Sequence, residues 1–127
     1  MKDSYYGIKF VWHNWRQDSL RTQRITFNSN NNVYHENNIP IDSKMLVYVF
    51  GINQIQGMYE VTGSYRNSGD PHFNIEISVN LVCDKINGLT VSEIKKHLRS
   101  FNPTRGTSYL PLKKSLFDSL YYDLQKK

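Results

Sequence analysis

Over residues 73–82 the chain alternates: Phe73, Ile75, Ile77, Val79 and Leu81 fall on one side, and Asn74, Glu76, Ser78 and Asn80 on the other. Successive side chains of a strand point to opposite faces, so this segment is expected to be a half-buried strand. Residues 44–50 (KMLVYVF) form a nearly continuous apolar run instead, followed by the turn-prone Gly51 and Asn53. The run is too short for a helix and rich in β-branched and aromatic residues, which predicts a central strand. Residues 54–64 (QIQGMYEVTGS) read as a long strand whose Gly57 and Gly63 mark a bulge or bend, devices by which a sheet curls. YYGIKFV near the start and RITF around Phe27 are shorter candidates.

Helical signals are fewer. Thr90 precedes an apolar-periodic stretch and Glu93 stands three residues later, a capping box that predicts a short helix over 91–99. Leu112, Leu116, Phe117, Leu120, Tyr121 and Leu124 recur at helical spacing behind Pro111, which predicts a C-terminal helix begun by the proline. Asn14 is placed to cap a third helix over 15–23, with Arg16, Arg21 and Arg24 near its exposed side. Strands and helices alternate irregularly. The expected fold is α+β: a curved, mostly antiparallel sheet or small open barrel of about five to six strands, flanked by two or three helices. Residues 28–38 (NSNNNVYHENN) and 66–71 (RNSGDP) read as surface loops. No repeat or linker divides the chain, so residues 1–127 are expected to form a single domain.

Composition narrows the chemistry. Sixteen Lys and Arg against 11 Asp and Glu give a formal charge of +5, which favours an anionic partner. The single cysteine, Cys83, cannot close an intrachain disulfide or complete a zinc site, so a stapled secreted scaffold is excluded and a reducing cytoplasm is the expected compartment. No apolar run approaches the roughly 18 residues that span a bilayer, so no membrane partner is expected.

The sequence carries no recognisable catalytic constellation. Cys83 at a strand end reads as a small buried hydrophobe. His13, His35, His72 and His97 show no metal-binding spacing, and GxSxG, P-loop and GxGxxG patterns are all absent. Asp70 and Glu76 could be paired as acid and base, but so could any two acids of a folded domain. The expectation is a non-enzyme without metal or cofactor.

What remains is VWHNW, with Trp12 and Trp15 flanking Asn14 just after the first strand. Two broad π surfaces beside an amide could hold a base and read its edge; core packing is the plainer account of such a pair.

The segments KMLVYVFGINQIQGMYEVTGSYR, PHFNIEISVNLV and RGTSYLPLKKSLFDSLYYDL, in that order and spacing, resemble the EVE domain and, more distantly, its YTH relatives of the PUA-like superfamily. The resemblance extends over most of the chain through an ordered combination of weak motifs. It implies a single-domain reader that takes one modified nucleobase, flipped out of the strand, into an aromatic cage while basic residues hold the backbone. Carried onto this sequence, the cage would comprise Trp12, Asn14 and Trp15 after the first strand, Phe27, Asn28 and Ser29 on the cage strand, and Tyr65 in a later loop. Relatives commonly carry tryptophan at the position of Phe27. The backbone contact would fall to Arg105, with Arg16, Arg21, Arg24, Arg66, Lys113 and Lys114 as further cations. The implied partner is nucleic acid with a modified base, DNA favoured over RNA by fold analogy, and the implied setting is the specificity domain of a modification-dependent restriction system.

Energetics set what such a cage can do. Base–aromatic stacking contributes about 1–3 kcal/mol and tolerates any base. One buried methyl adds about 0.8 kcal/mol, roughly a fourfold preference at about 1.4 kcal/mol per tenfold. Sharper discrimination needs polar groups such as the amides of Asn14 or Asn28, which would leave donors unpaired against a wrong base. The alternatives are an RNA-binding PUA-like module and an ASCH-type enzyme acting on modified nucleosides. The enzyme would need a Lys, a Thr and a Glu to converge, and Lys9, Thr62 and Glu60 are the loosely suitable set.

Overall fold

The computed structural model of the chain describes residues 5–15, 24–27, 39–63, 66–67, 75–103 and 109–127; for 24–27, 66–67 and 75 it describes the backbone alone. The strands are β1 (Tyr6–Val11), β2 (Arg24–Phe27), β3 (Lys44–Val49), β4 (Gln54–Val61), β5 (Arg66–Asn67), β6 (Ile75–Thr90) and β7 (Tyr109–Pro111); the helices are α1 (Val91–Lys95) and α2 (Lys114–Gln125). The strands join in one seven-stranded sheet in the order β2-β6-β4-β3-β1-β7, with β5 also paired to β6. All pairings are antiparallel except β1 with β3, which run parallel from Tyr6↔Lys44 to Val11↔Val49. This is the expected α+β architecture on a mostly antiparallel sheet, with seven strands where about five to six were expected.

The apolar run of β3 is explained by burial on both faces: Met45 through Val49 are all buried, as a strand covered on each side requires. Alternate side chains feed two separate clusters. Met45, Val47 and Val49 join Trp15, Tyr59 and Tyr109 on one face. Leu46 and Tyr48 join Ile8, Phe10, Phe117 and Leu120 on the other, beneath α2.

Strand β6 is longer than the alternation predicts, continuing through CDKINGLT to Thr90. Two register shifts against β4 absorb the irregular stretch. Side chains of β4 complete the pairing: Gln54 Oε1 accepts from the Gly88 N–H at 3.0 Å, and Gln56 Nε2 donates to the Ile86 carbonyl at 2.8 Å. At Gly88 a Cβ would lie 1.8 Å from the Ile55 carbonyl oxygen, so only glycine lets the two backbones approach.

The predicted capping box heads α1: the Glu93 N–H donates to Thr90 Oγ1 at 3.2 Å and the Thr90 N–H to Glu93 Oε1 at 3.1 Å. The Lys127 ammonium, 2.6 Å away, and the Thr90 N–H hold the Glu93 carboxyl below its ordinary pKa. The helix ends at Lys95 and not at 99. The C-terminal helix begins at Lys114, and Pro111 lies in β7, opposite Gly7. Pro111 therefore does not open the helix. It ends an edge strand, where a missing N–H is tolerated. Of the helix expected over 15–23, only Trp15 lies among the described residues, and it is helical. No described helix is long and apolar enough to cross a membrane.

Candidate nucleic-acid interface

β1 sets the geometry at the VWHNW segment. Its side chains alternate, with Ile8 and Phe10 in the cluster beneath α2 and Val11 against the opposite cluster. The Phe50 N–H donates to the Val11 carbonyl at 2.8 Å, carrying the parallel ladder one residue past β3. Phe50 thereby comes beside Trp12, ring centroids 5.5 Å apart and planes at 44°. Phe50 in turn stacks on Phe10 at 5.6 Å. Trp12 remains 52% exposed, which leaves indole surface open to solvent.

The chain then turns back. The Trp15 N–H donates to the Trp12 carbonyl at 3.0 Å, with His13 and Asn14 exposed in between. Trp15 enters the other cluster, 3% exposed and perpendicular to Tyr59 at 5.9 Å and 89°. Its indole lies over Gly57, where a Cβ would come within 3.1 Å of Cη2. The glycine read as a bulge signal thus also makes room for the indole. The structure sends the two tryptophans to opposite faces of the sheet, so they do not wall a common slot. Trp15 is a core residue, and Trp12 is the accessible ring.

The other candidate cage residues lie toward the far end of β6. Phe27 of β2 and Asn67 of β5 both register with Ile75, one on each side of β6; Thr26 and Arg66 both register with Glu76. This brings the backbones of Phe27, Arg24 and Arg66 to one end of the sheet, away from the Val11 end of β1. Ile77, in register with Ile25, belongs to the cluster that holds Trp15, so the Trp15 indole and β2 share a cluster of the core. Asn28, Ser29, Tyr65, Arg16, Arg21 and Arg105 lie outside the described residues, as do the side chains of Phe27, Arg24 and Arg66.

Of the remaining cations, Lys114 pairs with Asp118 at 3.0 Å and sits 5.9 Å over the Tyr6 ring. The Asp118 hydrogen bond and charge raise its pKa. Lys113 is exposed at the start of α2.

Lys9, which the sequence offers only as part of a loose enzymatic set, has an unusual position. It is 6% exposed and faces the Trp15 side of the sheet, opposite Val47 and Tyr109 in the strand registers. Burial lowers its pKa to about 7. Burial likewise raises the phenol of Tyr109. A lysine within the alternation of β1 was the available signal.

The enzyme alternative needed Lys9, Thr62 and Glu60 together. Glu60 lies between Tyr59 and Val61, both in the Trp15 cluster, and its charge acts on Tyr121 of α2. Lys9 and Glu60 are therefore on opposite faces with the sheet between them, and this set does not converge. Desolvation raises the Cys83 thiol, which makes it a poorer nucleophile at neutral pH. Among the described residues no group of three or more His, Cys, Asp and Glu is placed to hold a metal ion. His97 is bonded to Asp123 at 2.6 Å on the surface.

No protein-family model matches the chain, and no curated protein matches it in sequence. Solved structures do match its fold. The Pho92 YTH domain in complex with m6A is 10% identical with a TM-score of 0.71, covering 100% of this chain and 89% of that one. The YTH domain of Zygosaccharomyces rouxii MRB1 in complex with N6-methyladenosine RNA is 10% identical with a TM-score of 0.64, covering 96% and 90%. A hypothetical protein from Leishmania major is 15% identical with a TM-score of 0.70, covering 98% and 96%. The chain has the fold seen in YTH domains.

Proposed function

We propose that the chain is a non-catalytic module that binds single-stranded nucleic acid and takes one modified base, with methylated adenine the first candidate. The observation that carries this reading is the match of nearly the whole chain to two YTH domains solved with N6-methyladenosine. In this proposal the base enters at the Ile75 end of β6, where the backbones of β2 and β5 flank it, and Phe27, Asn28, Ser29 and Tyr65 are the cage residues that the family resemblance implies. Trp12 and Asn14, at the other end of the sheet, are no part of this entry; the half-exposed indole is a platform for a base farther along the same strand. The arginines at positions 24 and 66 flank the same end of β6 and would hold the phosphates.

The sequence resemblance favours DNA and a restriction partner, whereas one of these structural neighbours carries RNA. The decisive experiment titrates the full chain with matched oligonucleotides, DNA and RNA, each with N6-methyladenine or adenine. The proposal predicts at least about a fourfold preference for the methylated strand, the value of one buried methyl. Equal affinity for all four strands would leave an unspecific basic domain, and turnover of a modified nucleoside would favour an enzyme.

A further inference from the structure

On the face beneath α2 the described structure holds a cavity of about 520 Å³ between residues 98–103, β7 and the start of α2. That is within the size range of small-molecule sites. Its wall is apolar, formed chiefly by Leu98, Leu110, Leu112 and Leu116 around Phe10 and Phe101. The four leucines are half-buried, so apolar surface remains turned to the opening. Phe10 and Phe101 lie nearly parallel at 6.2 Å, but they are 5% and 3% exposed and offer no free ring face. A flat nucleobase would find nothing to stack on; a slender aliphatic body would find a complementary wall.

Charge is placed at one end. Lys113 lines the cavity, is exposed and has no ion-pair partner among the described residues, in contrast to Lys114, which is held by Asp118. The first turn of α2 carries no acidic residue, so an arriving anion meets no like charge there. Ser100 and Asn102, both exposed, supply polar groups elsewhere on the lining.

We propose that this cavity binds a small, free amphipathic anion, an aliphatic chain ending in a carboxylate, with the chain among Leu98, Leu110 and Leu116 and the carboxylate at Lys113. The site lies on the opposite face from Trp15 and Tyr59 and does not depend on the nucleic-acid reading.

The test uses the full chain labelled with ¹⁵N, titrated with decanoate and separately with the neutral 1-decanol, with amide shifts as readout. Decanoate is expected to saturate with shifts concentrated at 98–103 and 110–116, and to bind about tenfold more tightly than decanol, because only the acid gains a charge-assisted contact. Lys113→Gln is expected to remove most of that difference while leaving decanol binding unchanged. Leu116→Trp should fill the cavity and abolish both; if it does not fold, Ser100→Trp on the exposed lining provides the same block. Shifts that do not saturate, that map elsewhere, or that are equal for acid and alcohol would overturn the proposal. So would undiminished decanoate binding by Lys113→Gln.

Discussion

The Trp15 indole and the Tyr59 ring stand perpendicular, centroids 5.9 Å apart and planes at 89°, whereas Trp12, three residues earlier, packs on Phe50 and keeps half its surface in solvent. Two identical side chains in one short segment thus have separable roles. Trp15→Ala is expected to cost about 3–5 kcal/mol of stability, the range for emptying a buried aromatic site. Trp12→Ala should cost only about 1 kcal/mol while weakening oligonucleotide binding about tenfold, within the worth of one base stack. Chemical denaturation and binding isotherms on the same two variants separate the effects. Comparable destabilisation by both would contradict this division.

Lys9 makes the fold's stability depend on alkaline pH. Its folded pKa of about 7 lies below the ordinary value of 10.5, so between these limits the unfolded chain binds more protons than the folded one. Unfolding free energy therefore rises with pH from about 7 to about 10.5, by up to about 5 kcal/mol at about 1.4 kcal/mol per unit. Above about pH 10 the raised phenol of Tyr109 acts in the opposite sense: the unfolded tyrosine ionises first, so the folded chain binds more protons and stability falls as the pH rises. Lys9→Met should flatten the rise between about pH 7 and 10. A wild-type profile flat across that window would show that Lys9 is charged in the folded protein.

The close approach at Gly88 gives a sharp structural test. The Ile55 carbonyl oxygen lies only 1.8 Å from where a Cβ would sit, so Gly88→Ala must displace one backbone from the other. A loss of at least about 2 kcal/mol is expected, as for overpacked interiors, with amide shifts concentrated at the Gln54 end of β4. An alanine accommodated without cost would mean that the strands part easily here.

At the head of α1, Thr90→Ala removes the acceptor of the Glu93 N–H. The expected cost is about 1 kcal/mol, readable as a lower thermal midpoint. Thr90→Ser should recover most of it, since the hydroxyl is what the cap requires.

Much of the sheet was readable in advance because period-two alternation and short apolar runs report burial directly. What escaped was set by partners distant in sequence. The CDKINGLT half of β6 lacks a strand pattern and is held by the amides of Gln54 and Gln56 on its neighbour. Pro111, sensible as a first helical residue, was claimed by pairing with Gly7. Alternation in β1 does place Trp12 with Phe10, but the direction taken by Trp15 was fixed by the turn closed on the Trp12 carbonyl. For Lys9 the sequence offers a place in a short strand but no partner; the clusters on both sides of β1 make it an interior residue.

Strand β1 lies between β3 and β7, matched to Lys44–Val49 on one flank and Tyr109–Pro111 on the other. A nascent chain emerging from the ribosome would already contain the β3–β4 hairpin, yet it could not zip shut around its first strand until residue 111 had appeared. Until then the flank of β1 that β7 will cover stays open to wrong partners.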